Sequence, residues 1–262
     1  MKFMPRWKSR KPAEDEQTVY VSERYGVRSL HIGSDTVQSS MRLARPNDLE
    51  LSYTRSMMAF LLFVPPPAEV LMIGLGGGSL AKYVFHHLAG TTTRVVEVNP
   101  QVVSIARQNF YVPPDGPRFE VITGDGAAHV EREDVSADVL IVDGYEADSY
   151  VEELASAGFY AACRARLKPG GVMVVNLWGG DKQFYSLSKR IEDAFPAGTL
   201  CLPAERPGNV AVFGFERKPG PLAWKDLARR AAELEAQYGL EYGRFVESLR
   251  KMNPHDAESL YP

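Results

Sequence analysis

Three carboxylates stand at or just past the ends of short apolar, β-branched runs: Glu97 closes 94–97, Asp125 follows 119–124, and Asp143 closes 138–143. A glycine-rich turn precedes all three, in Val70-Leu71-Met72-Ile73-Gly74-Leu75-Gly76-Gly77-Gly78-Ser79. Glycines there let a ligand approach the backbone, and the first N–H groups of a following helix are free to face it. An acidic strand end roughly 20 residues on can accept both hydroxyls of a ribose, which assigns that role to Glu97. Asp125 can accept from an adenine amino group, and it is also a favoured helix N-cap before 127–130; the two roles are compatible. Asp143 should point into the same cleft, since ligands bind at the carboxyl ends of such strands. Glu146 and Asp148 follow it closely. This acidic loop can hold a cationic amine and raise one carboxylate toward a general base, or its later members can be solvated loop charges. The pattern predicts a nucleoside-containing cofactor.

The elements needed to position these groups are legible. Residues 18–23, 27–32 and 37–43 read as strands of a small antiparallel unit, with a hairpin at Tyr25-Gly26. Residues 49–63 carry apolar side chains at helical spacing, and Pro65-Pro66-Pro67 ends them. Strands are then expected at 70–74, 93–98, 119–123, 137–142 and 172–177. Helices are expected at 79–88, 100–110, 127–132, 151–167 and 183–195, with Asn99-Pro100 a good cap pair. Apolar strands alternating with helices predict a parallel sheet covered on both faces. Residues 199–202 and 209–215 have only a short loop between them and must be antiparallel. The fold class is therefore α/β, Rossmann-like, of the class I S-adenosylmethionine-dependent methyltransferase type. The domains read as a disordered 1–17, a β unit at 18–48, a cofactor-binding catalytic domain at 49–218, and helices at 219–262.

Composition bounds the rest. The chain has 262 residues, 45% hydrophobic and 24% charged, with a net charge of −3. That argues against a general nucleic-acid binder, and no run approaches the ~20 apolar residues of a membrane span. The basic start, Lys2 to Lys11, is followed at once by Glu14, Asp15 and Glu16 and reads as a solvated terminus. Met1 to Pro12 has no signal-peptide core, and Cys163 and Cys201 read as reduced thiols, so a cytoplasmic location is expected. No metal-ligand spacing is visible. No His pairs with a Ser or Cys in a nucleophile context, and Met57-Met58 reads as core.

These motifs resemble the spermidine synthase (polyamine aminopropyltransferase) family over roughly residues 18 to 216. The residues that carry the resemblance are Val37-Gln38-Ser39, Ser52-Tyr53, the Ile73–Gly78 turn and Glu97. Gly124-Asp125-Gly126, the 139–143 strand and Leu167-Lys168-Pro169-Gly170-Gly171 complete them. The resemblance implies transfer of an aminopropyl group from decarboxylated S-adenosylmethionine to a small polyamine such as putrescine, with no metal. By resemblance, Gln38, Gly74, Gly76, Gly77, Glu97, Asp125, Gly126 and Asp143 hold the cofactor. Tyr53, Tyr145 and Glu146 lie by the amine, Asp143 takes its proton, and the chain pairs as a homodimer through its N-terminal unit. The chain also departs from the family pattern. The family's turn usually carries an Asp where Gly77 stands, and its second loop Asp is here Glu146. Those departures leave a methyltransferase using ordinary S-adenosylmethionine as the alternative enzyme, and a non-catalytic nucleoside or polyamine binder as the alternative class.

Overall fold

The computed structural model describes residues 18–146, 149–150, 152–206 and 208–262; of residues 145, 146, 149 and 150 it describes the backbone alone. The expected disorder of 1–17 and the role of Asp148 lie outside these residues. Strands β1 (Val19–Arg24), β2 (Val27–Ile32) and β3 (Val37–Arg42) form the antiparallel N-terminal sheet. Helix α1 (Ser52–Met57) is only six residues long and passes into a 3-10 turn at Met58–Leu62. The single helix expected over 49–63 is thus broken. Met57 to Leu62 are buried on every side rather than along one stripe. A run with no solvent face carries no helical period to enforce, and the chain tightens.

The central sheet comprises β4 (Glu69–Ile73), β5 (Thr92–Glu97), β6 (Phe119–Thr123), β7 (Ala137–Val142) and three later strands. Helices α2 (Ser79–His87), α3 (Pro100–Asn109) and α4 (Gly126–Glu131) connect the first four. Asn99 caps α3, its side chain accepting from the Gln101 N–H at 2.9 Å. The short hairpin β8 (Tyr145–Glu146) and β9 (Ser149–Tyr150) follows β7. Residues Glu152–Ala155 form a 3-10 turn before α5 (Ala157–Arg166), so the helix expected over 151–167 starts late. Ser156 sets its true start by accepting from the Phe159 N–H at 3.1 Å. Then come β10 (Leu167–Trp178), α6 (Phe184–Ala194), β11 (Thr199–Pro203) and β12 (Asn209–Phe215). The sheet order is β11-β12-β10-β7-β4-β5-β6, with β12 antiparallel to both its neighbours and the pairs among β10, β7, β4, β5 and β6 parallel. This is the methyltransferase-like arrangement expected from the short 203–208 connection.

Both sheet faces are dry. Val70 and Met72 of β4 face one core, and Leu71 and Ile73 face the other. The strand β13 (Leu222–Ala223), helices α7 (Trp224–Tyr238) and α8 (Tyr242–Leu249), and β14 (Ser259–Leu260) close the chain. The C-terminal helices bury Leu227, Leu234, Tyr242 and Phe245 in the first core, against the 58–62 turn. The N-terminal apolar face, Val19, Val21 and Leu30, packs on Val102, Ile105 and Phe110 of the α3 region rather than standing open. No helix among the described residues is long and apolar enough to cross a membrane.

Lys82 pins the N-terminal sheet to this body. It is buried on α2, and its ammonium donates to the carbonyls of Pro46 and Phe110, each at 2.7 Å, and to the Met41 sulfur at 3.1 Å. Burial lowers its pKa from 10.5 to about 8. Between those values the unfolded chain holds the proton more firmly than the folded one. Stability should therefore rise as pH climbs from about 8 to about 10.5, by on the order of 2 kcal/mol. Urea midpoints at pH 7.5 and 10 should show a rise in the native chain that is flattened in Lys82→Met; equal rises in both would refute the assignment.

Candidate active site

Strand register builds the site. Ile73 pairs with Val96 on one side and Val142 on the other, and Val142's neighbour Val175 is its partner on β10. One step beyond these pairs lie Gly74, Glu97, Asp143 and Asn176, four residues on one edge of the sheet. Three backbone bonds of 2.9 Å hold the edge together: Gly74 N–H to Val96 O, Asp143 N–H to Ile73 O, and Gly124 N–H to Glu97 O. A cavity of about 1350 Å³ opens above it.

Glu97 is buried, and both of its carboxylate oxygens accept hydrogen bonds. One carboxylate oxygen accepts from the Leu75 N–H at 2.8 Å, and the other from the Asn99 N–H at 3.0 Å. The glycine turn and the start of α3 therefore hold the carboxylate from two sides. Each oxygen keeps a further lone pair for a ligand hydroxyl. Asp125 caps α4 by accepting from the Ala127 N–H at 2.8 Å, and it also lines the cavity.

Asp143 sits between two donors. The Tyr53 hydroxyl on α1 donates to Oδ2 at 3.2 Å, and the Asn176 amide on β10 donates to Oδ1 at 2.9 Å. Burial raises the carboxyl from its ordinary value, and these two hydrogen bonds pull it partly back. Burial and the adjacent carboxylate push the Tyr53 phenol well up, so it stays a donor. Tyr53 also lies 3.4 Å from the Gln38 carbonyl, which ties the N-terminal sheet to the same point. The Tyr53 helix is anchored by its neighbour Arg55, which pairs with Glu241 at 2.6 Å and Glu205 at 3.4 Å.

The cavity wall thus brings together Gln38, Tyr53, Gly74, Gly76, Glu97, Asp125, Gly126 and Asp143. Gly77 stands behind the wall: a β-carbon there would lie 2.8 Å from the Ser39 hydroxyl and 2.9 Å from the Phe110 ring. Tyr145 and Glu146 lie in β8 next to Asp143, and their side chains are outside the described residues. Sequence reasoning missed Asn176, Asn209, Glu153 and Asp181, all of which line the cavity. Asn176 carried a visible signal, a polar residue inside the apolar run 172–178. Asn209 read only as the first residue of the strand expected over 209–215, with nothing to mark it as part of a site.

A family model described as the spermine/spermidine synthase domain matches residues 50–202. A polyamine aminopropyltransferase of Chromobacterium violaceum is 43% identical over 242 residues, 92% of this chain and 93% of its own. Among solved structures, a probable spermidine synthase from Corynebacterium glutamicum superposes with a TM-score of 0.71 at 18% identity, covering 93% of this chain and 94% of that one. Human methyltransferase-like protein 13 in complex with SAH superposes at 0.64 with 23% identity, covering 79% and 96%. At such identities the two structures speak for the fold.

Proposed function

Because the chain belongs to the spermine/spermidine synthase family, we propose that it transfers an aminopropyl group from decarboxylated S-adenosylmethionine to a small amine such as putrescine. One observation carries the choice of cofactor. Among the described residues the cavity wall holds five carboxylates, of Glu97, Asp125, Asp143, Glu153 and Asp181, against one ammonium, of Lys182. Such a wall attracts a sulfonium that bears a free amine, and it attracts a cationic acceptor. It repels the carboxylate that ordinary S-adenosylmethionine carries.

The residues divide the work. Glu97 suits the ribose hydroxyls and Asp125 the adenine amino group, with Gly74 and Gly76 giving the backbone close approach. The reaction is a displacement. The acceptor nitrogen's lone pair forms the new bond to carbon, the carbon–sulfur bond breaks, and its electron pair stays on sulfur in the departing methylthioadenosine. A protonated amine has no lone pair to give, so a base must take its proton. Asp143 is that base, with Tyr53 and Asn176 fixing where its oxygens lie, and it is half-buried, within reach of the cavity.

Calorimetry with the two cofactors tests the reading. Decarboxylated S-adenosylmethionine should bind at least ~30-fold more tightly than the ordinary form, equivalent to ~2 kcal/mol. Putrescine should then yield methylthioadenosine. Tighter binding of the ordinary form, with no methylthioadenosine, would make the methyltransferase reading the correct one.

A further inference from the structure

Asp143 receives its Asn176 bond only if that amide is turned with nitrogen toward the carboxylate. An asparagine amide is nearly symmetrical in shape, so its surroundings decide the orientation. Asp143 ionised is acceptor-only and demands the nitrogen. The other end of the amide, Oδ1, then needs a donor of its own. Asn209 supplies it, donating from Nδ2 to the Asn176 Oδ1 at 3.0 Å. The antiparallel register explains the meeting: Asn176 faces Ala211 on β12, and Asn209 is its diagonal neighbour two residues away. Asn209 is itself held in place, because β12 begins there opposite Trp178 and the preceding Gly208 carbonyl accepts from the Gly179 N–H.

We infer that Asn209 is a positioning residue: its donation to Asn176 locks the amide with nitrogen toward Asp143 and so keeps the carboxylate aimed at the acceptor amine. The inference rests on the reading of Asp143 as the base. It assigns a role to a strand, β12, that supplies no other residue to the cavity wall among those described. Without the Asn209 donor, the Asn176 oxygen loses its partner and Asp143 alone is left to orient the amide, so the bond that fixes the carboxylate is held less firmly. The titratable groups around Asp143 are the Tyr53 phenol bonded to it from α1 and, elsewhere on the same cavity wall, Glu97, Asp125, Glu153, Asp181 and Lys182. None of these is hydrogen-bonded to Asn209 or Asn176 among the described residues.

The test is steady-state release of methylthioadenosine from decarboxylated S-adenosylmethionine and putrescine, across pH, by Asn209→Ala, Asn176→Ala and the double variant. Asn209→Ala should lower kcat about tenfold with both KM values within about threefold. The acid limb of its pH–rate profile should move to higher pH, because a bond that favours the ionised carboxylate has been weakened. In the Asn176→Ala background, Asn209→Ala should cost less than about twofold. Equal losses in both backgrounds, an unshifted acid limb or an undiminished kcat would overturn the inference. Should Asn209→Ala not fold, Asn209→Asp keeps the shape without the donor and must show the same non-additivity. Asp143→Asn run alongside separates the two levels: if it turns over normally, the base assignment has failed, whereas an inactive Asp143→Asn beside an unaffected Asn209→Ala sinks the Asn209 role alone.

Discussion

Asp143→Asn is expected to reduce methylthioadenosine release by about 10³-fold while leaving the affinity for methylthioadenosine within about threefold. The hydrogen-bond pattern explains why chemistry should fail without the fold failing. Asn176 has its nitrogen toward residue 143 and needs an acceptor there, so the new amide must turn its oxygen to Asn176. Its nitrogen then faces Tyr53. Tyr53 has a second acceptor in the Gln38 carbonyl at 3.4 Å, so it can redirect its hydroxyl and accept from the new amide. Every buried polar group keeps a partner, and only the proton acceptor is lost. Isothermal titration with methylthioadenosine and a discontinuous product assay measure the two halves. Retention of more than a tenth of native turnover would remove Asp143 from the base role. In the native enzyme, activity should fall with acid at a higher pH than an ordinary carboxylate dictates, since burial raises Asp143.

Gly74→Ala is the second large effect, and it acts on the same residue from behind. A β-carbon on Gly74 would lie 2.3 Å from the Asp143 carbonyl oxygen and 2.8 Å from its carbon, both backbone atoms of the neighbouring strand end. The backbone there also has φ +94°, where an L side chain is strained. Neither atom can move without shifting β7 against β4. The substitution should cost roughly 3 kcal/mol or more in a denaturant melt and at least ~100-fold in turnover. Gly170→Ala is the control. Gly170 shares a positive φ of 81°, but nothing lies within 4 Å of its β-carbon position, so only the conformational cost of about 1 kcal/mol applies. Similar losses at the two positions would show that the contact with Asp143 is not what matters.

Much of this architecture is legible in the sequence because the signals are local. Apolar five- and six-residue runs with acidic ends mark strands and their functional tips at once, and Asn99-Pro100 marks a helix start without any tertiary knowledge. The expected strands at 27–32, 119–123, 137–142 and 209–215 coincide with those observed. What local pattern does not carry is strand order. β12 lies between β10 and β11, so Asn209 meets Asn176 across 33 residues, and nothing near either position announces it. Helix breaks were equally hidden. Residues 57–62 are apolar in succession, and the sequence does not say that they tighten into a 3-10 turn once buried on all sides. Glu153 and Asp181 join the wall from segments outside the strand ends, where charge alone reads as solvated surface.

The enclosure of Gly77 bears on how such a site diversifies. Ser39 from the N-terminal sheet and Phe110 from the end of α3 occupy the space that any larger residue there would need. A side chain at position 77 would therefore need the Ser39 side chain and the Phe110 ring to shift before it could be accommodated. Any charge that discriminates between ligands at this site therefore has to come from the outer carboxylates of the wall rather than from the turn itself.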